Sequence, residues 1–281
     1  MKHIILSHFQ TEPLLAARKA GQHTARLSPD LGLTTVEVAL ETAGVPLTDG
    51  QLLSWEHVEA INASERGCFV IQDNAPQKIQ FFSDLTDQLY SLMPTERAPT
   101  MLISGIPMHR FKGTDPHADT LDKIKAIAPI TGPTLDTATG LGYTAIQAAR
   151  TAGHVTTIEL DPAALQVARL NPWSQALFDN LKITQLIGDS FDLVAQFEDK
   201  SFARIIHDPP MFSLAGDLYS SQFYRQLFRV LRPGGRLFHY IGDLESKSGR
   251  VVSKGAMRRL QEAGFARLSP CPAAFGLVAR K

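Results

Sequence analysis

The residues best suited to chemistry form an ordered set in the second half of the chain: Asp136-x-x-x-Gly140-x-Gly142, Glu159, Gly188-Asp189 and His207-Asp208-Pro209-Pro210. The first passes from an apolar run through a glycine turn into an alanine-rich run, the order expected of strand, turn and helix. Glycines suit a turn that a ligand's ribose must approach closely, because a Cβ would hinder both the approach and the dihedrals. Taken alone, Gly140-x-Gly142-x-x-Ala145 also matches a dinucleotide fingerprint. Asp136 separates the two readings. A carboxylate at the tip of the strand repels a pyrophosphate, but it attracts the cationic amino group of a methionine moiety. The bland alternative is a generic strand-to-helix turn with an acid beside a helix N-terminus.

Glu159 closes the run Val155 to Glu159, nineteen residues after Gly140. An acid at that spacing accepts from both ribose hydroxyls of an adenosine and disfavours a 2′-phosphate. Asp161-Pro162 reads as the cap and first-turn proline of the next helix, a structural role. Asp189, thirty residues beyond Glu159, is placed to accept from an adenine amino group, with helix capping as its competing role. In His207-Asp208-Pro209-Pro210-Met211-Phe212 two prolines fix an extended turn with few donors, so carbonyl oxygens and the Asp208 carboxylate face the site. Acceptors there hold the protons of an incoming amine and orient its lone pair toward an electrophilic methyl group. His207 is a candidate general base or substrate partner, against satisfaction by backbone. Tyr219 is a candidate for a substrate loop, Tyr224 and Tyr240 for packing as much as for a pocket wall. His239 and Ile241 share the opposite face of the strand from Tyr240.

These residues need a scaffold that brings strand ends together. After Pro116, strand and helix patterns alternate. Helices are expected at Ala118–Ala128, Tyr143–Ala152, Ala163–Asn171, Ser190–Gln196, Ser220–Leu231 and Lys254–Ala263. Strands are expected at Thr134–Thr137, Val155–Glu159, Ile183–Ile187, Phe202–His207 and Arg236–Ile241, followed by a pair near Ala266–Leu268 and Phe275–Ala279. That is an α/β, Rossmann-like sheet of seven strands with helices on both faces. Before it, short β-branched and aromatic runs, separated by turns such as Ser28-Pro29-Asp30 and Thr48-Asp49-Gly50, read as a small β-rich domain. Two helices interrupt it, at Glu12–Lys19 and Ser54–Ala63, and the boundary falls near residue 112, giving domains 1–112 and 113–281.

Lys plus Arg and Asp plus Glu each number 28, so the formal charge is zero and no global field pulls the chain toward a polyanion. A local basic patch stays open. Cys68 and Cys271 stand alone, outside any Cys-x-x-Cys or Cys/His cluster, which predicts free thiols, a reducing compartment and no metal site. No Gly-x-Ser-x-Gly elbow offers a serine nucleophile. The apolar run at Ile4 to Leu6 is too short for a signal peptide and no run approaches a membrane span, so a cytoplasmic protein is expected.

Together with Arg229-Val-Leu-Arg-Pro-Gly234-Gly235, the ordered set resembles the successive motifs of class I S-adenosylmethionine-dependent methyltransferases over residues 118–281. Met108-His109-Arg110, Gly140-Leu-Gly-Tyr-Thr-Ala145, Asn171-Pro172-Trp173-Ser174, His207-Asp-Pro-Pro210 and Leu218-Tyr219-Ser220 are similar to a family of functionally unassigned, largely archaeal methyltransferases, which takes in the whole chain. The resemblance implies S-adenosylmethionine as cofactor. Its expected binding set is Asp136, Thr137, Gly140, Gly142, Tyr143, Thr144, Glu159, Leu160, Gly188, Asp189, Ser190 and Asp208. The expected catalytic set is His207, Asp208, Pro209, Pro210, Phe212 and Tyr219. Asp-Pro-Pro is similar to the loop of enzymes that methylate exocyclic or planar nitrogens, but Met211 stands where the aromatic belongs and Phe212 follows it, which leaves the target atom open between an RNA base and a small amine or metabolite, with a protein side chain a third option. Spermidine-synthase-like aminopropyl transfer is the nearest rival, faintly resembled by Leu218 to Arg229, though those enzymes favour a Gly-Gly-Gly-Asp-Gly turn. A non-catalytic nucleotide sensor and an NAD-dependent dehydrogenase fit less well, the latter because Asp136 and Asp-Pro-Pro have no role in it.

Three weaker features complete the reading. Trp173 is a lid over the adenosine or a plug between helices. The cations of Met108-His109-Arg110 meet a cofactor or form an interdomain salt bridge. Arg250, Lys254, Arg258 and Arg259 recur at helical spacing, as a solvated face does.

Overall fold

A computed structural model describes residues 3–211 and 215–281, with residues 247 and 248 in backbone only. The chain forms two compact units, Met1–His117 with Ala163–Gln175, and Ala118–Pro162 with Ala176–Lys281.

The strands of the second unit are β1 (Pro133–Asp136), β2 (His154–Glu159), β3 (Ile183–Ile187), β4 (Phe202–His207), β5 (Leu231–Tyr240), β6 (Arg267–Cys271) and β7 (Gly276–Arg280). From Pro116 onward the helices are α1 (Pro116–Ala126), α2 (Tyr143–Ala149), α3 (Pro162–Leu170), α4 (Gln175–Asp179), α5 (Ser190–Gln196), α6 (Ser221–Val230) and α7 (Lys247–Glu262). The sheet runs β3-β2-β1-β4-β5-β7-β6, parallel except for β7, which is antiparallel to both neighbours. Strand order reverses between β1 and β4, and ligands of open α/β sheets bind at the carboxyl ends beside such a switch. Asp136 ends β1 and Asp208 follows β4 there, so the topology itself brings two of the expected residues to one place.

Alternation along β1 sets the two faces. Leu135 enters a core with Ile205, Leu237 and Leu277 from neighbouring strands, Phe223, Leu227 and Val230 of α6, and Ala256 and Leu260 of α7. The apolar positions of α6 recur at 223, 224, 227 and 230, one face of a helix, and all four are fully buried. Removing Phe223 from such a core costs about 3–5 kcal/mol. Asp136, the next residue on β1, points to the other face, where Thr144 of α2 meets it. Arg229 at the end of α6 gathers the carbonyls of Val194, Ala195 and Phe197 at the C-terminus of α5, at 3.1, 3.2 and 2.6 Å.

In this unit α4 is a helix the sequence did not lead one to expect, and α7 and β5 begin earlier than expected. Helix α7 begins seven residues before Lys254, capped by Ser246, whose hydroxyl accepts from the Gly249 N–H at 3.0 Å; Gly249 and Gly255 break the apolar period that would reveal it. Strand β5 begins at Leu231, paired with Phe202, and the register then jumps to Arg204 opposite Arg236, so Arg232 to Gly235 loop out of the ladder.

The front unit is β-rich, as expected. Ile4–Leu6, Phe69–Gln72 and Ala75–Lys78 form one sheet; Gln80–Ser83, Gln88–Met93, Thr100–Ile103 and Ile106–Pro107 form another; two ribbons pair Thr24–Leu27 with Val36–Ala39 and Gly44–Pro46 with Leu52–Ser54. Leu14 and Ile61 from its helices His8–Lys19 and Trp55–Asn62 close a core with Leu6, Leu27, Val45 and Leu53. The first helix starts at His8 rather than Glu12. The Ser7 backbone N–H donates to Gln10 Oε1 at 3.0 Å, a local cap that Pro13 obscures in the period. Ser54 caps the second, accepting from the His57 N–H at 3.2 Å. Residues 163–175, expected in the second domain, cluster with this unit.

Candidate active site

At the tip of β1 the Asp136 side chain is completely buried. Its Oδ2 accepts from Thr157 Oγ1 at 2.9 Å and Thr144 Oγ1 at 3.1 Å, and its Oδ1 has no hydrogen-bond partner among the described residues. Because Thr157 spends its proton on Asp136, the 2.7 Å contact between Thr139 and Thr157 has Thr139 as donor, a short relay of hydroxyls pointing at one carboxylate. Burial pushes the Asp136 carboxyl up to about 7 from 3.8; the two threonine hydroxyls and the Ala138 backbone N–H oppose this, and the charge of Asp208 adds to it. A carboxylate so poorly compensated is a standing acceptor for a cation.

The turn after β1 turns left-handed at Gly140 and Gly142, with φ of +51° and +77°. A Cβ on Gly142 would lie 2.7 Å from Leu177 Cδ2, so both conformation and packing demand glycine there. The freed Gly140 N–H donates to Glu159 Oε2 at 2.8 Å while the Asp161 N–H donates to Oε1 at 3.2 Å. Glu159 is therefore held by the backbone at the end of β2, each oxygen keeping a further lone pair; partial burial raises its carboxyl above the usual range despite these donors. Leu160 beside it and Ile187, its register partner on β3, are large apolar side chains left 47% and 57% exposed. Exposed apolar plates next to an oriented carboxylate suit a nucleoside. Asp189 is exposed and caps α5, its Oδ1 accepting from the Phe191 N–H at 2.8 Å. Ser190 ties the β3 turn to the β1 turn by donating to the Thr137 carbonyl at 2.6 Å. Thr137, Tyr143 and Thr144 are buried around this turn.

The end of β4 divides sharply between adjacent residues. His207 is completely buried and closed: Nε2 must donate to the Leu218 carbonyl at 2.9 Å, which leaves Nδ1 to accept from Thr137 Oγ1 at 2.7 Å. Burial lowers its pKa to about 3, so it is a neutral imidazole with both nitrogens engaged. His239 lies against it, ring centroids 4.4 Å apart, and accepts at Nε2 from the Tyr224 hydroxyl at 2.8 Å. The expectation of a general base at His207 is corrected by this geometry.

Asp208, one residue on, is partly exposed. Its Oδ2 accepts from Lys123 Nζ at 2.6 Å, and the same ammonium reaches Asp119 Oδ2 at 2.8 Å. The Lys123 side chain is 2% exposed, that of Asp119 0% and that of Asp208 19%. Burial opposes the charge of Lys123, yet the two carboxylates outweigh it and raise its pKa; burial raises that of Asp208 against the pull of Lys123. The Lys123 ammonium also sits 4.6 Å from the centre of the Tyr240 ring. Tyr219 donates to the Pro210 carbonyl at 3.0 Å and so fixes the Asp-Pro-Pro turn. Met211 is exposed, and Phe212 lies outside the described residues.

Asp136, Glu159 and Asp208 thus stand at the carboxyl ends of adjacent strands, while His207 is withdrawn into the core. The sequence reading missed Asp119 and Lys123, whose only local signal is an acid and a base four apart on α1, a pattern common on solvated helices. It also missed the Thr139–Thr157 relay. In the front unit, His109 Nδ1 is paired with Thr100 Oγ1 at 3.0 Å, and the Trp173 indole donates to the Leu31 carbonyl at 3.0 Å, the behaviour of a plug. Arg250, Lys254 and Arg258 are exposed along α7. Among the described residues no group of His, Cys, Asp and Glu is arranged to hold a metal, and no helix is long and apolar enough to cross a membrane.

Residues 134–235 match the family model described as a methyltransferase domain. Over 195 residues the chain is 49% identical to the uncharacterized protein MJ1233 of Methanocaldococcus jannaschii, covering 68% of this chain and 67% of that one. A polyamine aminopropyltransferase of Sulfolobus acidocaldarius is 33% identical over 87 residues, which span 30% of this chain and 29% of the other. The spermidine synthase of Thermotoga maritima superposes with a TM-score of 0.56 at 16% identity, over 75% of this chain and 76% of its own, a likeness of fold. With the long match to MJ1233 and the methyltransferase-domain match over the strands and turn that carry the site in agreement, the chain belongs to the same family as MJ1233 and carries a methyltransferase domain on a Rossmann-like sheet.

Proposed function

We propose that the protein methylates a nitrogen acceptor, using S-adenosylmethionine bound over the ends of β1, β2 and β3. The observation that carries this reading is the pairing of an under-compensated buried acid at the β1 tip with a lysine-held, partly open acid just past the β4 tip, on the two sides of the switch point. Asp136 would hold the ammonium of the methionine moiety, Glu159 the ribose hydroxyls, and Leu160 and Ile187 the adenine faces. When bound, S-adenosylmethionine supplies a sulfonium methyl group, an electrophile that calls for alignment rather than a covalent enzyme intermediate. A nitrogen that gains a methyl group must shed a proton. Asp208, with one oxygen on Lys123 and its pKa raised by burial, is placed to orient that nitrogen and take the proton. Pro209 and Pro210 keep the turn extended, Tyr219 anchors it, and His207 positions the strand below it. In sequence, the catalytic domain of residues 113–281 would follow a smaller domain of residues 1–112, and the free thiols of Cys68 and Cys271 suit a reducing cytoplasm.

A second reading, aminopropyl transfer from decarboxylated S-adenosylmethionine, is favoured by the likeness to polyamine aminopropyltransferases in sequence and to spermidine synthase in fold. Calorimetric titration separates the two. Tight binding of S-adenosylmethionine and S-adenosylhomocysteine, lost in Glu159→Ala, supports methyl transfer; preference for the decarboxylated form, which lacks the carboxylate, moves the case to aminopropyl transfer; binding of neither by folded protein ends both.

A further inference from the structure

Four arginines stand in register across four neighbouring strands. Arg204 of β4 is opposite Arg236 of β5, Arg236 is opposite Arg280 of β7, and Arg280 is opposite Arg267 of β6. Residues opposite one another in a sheet share a face, so the four side chains leave the same side in one row, about 14 Å long at the usual strand spacing. Arg267 and Arg280 are exposed, Arg204 and Arg236 half-buried. Like charges directly opposite one another are destabilising. Among the described residues no carboxylate forms an ion pair with any of the four. Burial and the positive charges of Arg236 and Arg280 lower the Arg204 pKa, so the members of the row act on one another.

The fold accounts for part of this row. Arg204 donates to the Ile127 and Pro129 carbonyls at 3.2 and 3.0 Å, and Arg236 to the Ala128 carbonyl; these carbonyls follow α1, and they engage a guanidinium without cancelling its charge. Arg267 lies on the edge strand, where a charge deters pairing with another sheet. Neither reason covers Arg280, which is on an interior strand with a like charge on each side, and whose guanidinium makes no hydrogen bond or ion pair among the described residues. We propose that the row holds the phosphate backbone of an RNA strand, and that the nitrogen acceptor is a base carried on that strand. The choice of RNA rests on the reading of the site as a methyltransferase of nitrogen. Guanidinium forks match phosphate oxygens, and a straight row of fixed charges faces several phosphates of one strand at once. The chain as a whole has no net charge, so the attraction is local to this face. Arg204 stands four residues before Asp208, about 13 Å along the strand direction, which puts the row and the acceptor-side carboxylate on one strand.

The test is fluorescence anisotropy of the full chain with an end-labelled single-stranded RNA of about 15 nucleotides, between about 50 and 200 mM salt. Binding is expected, with log K falling against log salt at a slope of about −3, the value for four phosphates neutralised on a single strand. In the double variant Arg267→Gln/Arg280→Gln the slope shrinks by about 1.4 and affinity falls about tenfold or more at about 100 mM salt. Its calorimetric affinity for S-adenosylhomocysteine stays within roughly twofold, which shows that the fold is kept. Arg250→Gln/Arg258→Gln, which removes two exposed charges from α7, should leave RNA binding within about twofold. No weakening in the first variant, or equal weakening in both, overturns the proposal. So does tighter binding of poly-L-glutamate, of phosphatidylserine vesicles or of single-stranded DNA of the same sequence than of the RNA. Failure of the unaltered protein to bind S-adenosylhomocysteine sinks the methyltransferase reading and the acceptor role of the RNA with it; binding of S-adenosylhomocysteine without the RNA sinks this inference alone.

Discussion

The two halves of the sheet edge are built differently. On the β1–β3 side the charged groups are held by local means: Asp136 by a hydroxyl eight residues on and another across the adjacent strand, Glu159 by the N–H groups of Gly140 and Asp161. On the β4–β5 side Asp208 is held by a lysine 85 residues earlier, itself buried against a further acid. Backbone donors give the first half a fixed shape that recurs wherever the turn recurs, which suits a cofactor common to many enzymes. The second half is set by side chains of a lead-in helix and changes whenever those change, which suits an acceptor peculiar to one family.

The sharpest way to break this contrast is to remove one acid from each half. Asp208→Ala is expected to lower kcat by about 10²–10⁴-fold while leaving S-adenosylhomocysteine affinity near that of the unaltered protein, because the proton acceptor goes and the nucleoside site stays. Single-turnover methyl transfer alongside calorimetry reads both numbers. A loss of cofactor affinity equal to the loss of rate would mean that Asp208 belongs to the first half. Glu159→Ala should act in the opposite sense. It strands the Gly140 and Asp161 N–H groups and removes the ribose acceptor, weakening cofactor binding by roughly 10- to 100-fold, and a saturating cofactor concentration should restore most of the rate.

The same division governs what could be read from the sequence. The seven-stranded sheet and the Asp136–Gly140–Glu159 constellation were legible because periodicity and short spacing encode them. Asp208 was legible by its prolines, but its partner was not: Asp119 and Lys123 look like an ordinary i, i+4 surface pair, and only the fold shows that α1 delivers them into the interior. His207 failed in the other direction. A histidine beside a catalytic motif invites a chemical role, and what closes it, the Leu218 carbonyl and the Thr137 hydroxyl, lies 11 and 70 residues away. Asp189 carries its capping role openly in the helix that follows it, so the competing reading was visible from the start.

Acidity sharpens the contrast further. The Asp136 carboxyl, at 3.8 in an unfolded chain, stands at about 7 in the folded one, so between those values the folded protein binds more protons than the unfolded and stability falls as pH rises. Glu159 and Asp208, also raised, add in the same sense. Urea denaturation of the ligand-free protein should therefore show stability declining from about pH 4 to about pH 7, with a shallower decline in Asp136→Asn. Affinity for S-adenosylmethionine moves the other way, rising through pH 7 as Asp136 ionises. An unchanged slope in Asp136→Asn would remove Asp136 from the account of both effects.

The smallest effect belongs to the histidines. His239 passes its Nδ1 proton toward the His207 carbonyl at 3.4 Å, so its Nε2 depends on the Tyr224 hydroxyl. Tyr224→Phe keeps the buried ring in the α6 core and removes the hydroxyl that donates to His239 and meets Arg259, leaving a buried nitrogen unsatisfied, at a cost of about 1–3 kcal/mol. If the pair is a closed structural device, thermal unfolding shifts by a few degrees and kcat stays where it was, since nothing in the His207–His239–Tyr224 chain reaches Asp208 through a side-chain proton. A fall in kcat of a hundredfold or so in a well-folded Tyr224→Phe protein would reopen the histidines as a proton path, and the line drawn here between His207 and Asp208 would have to be redrawn.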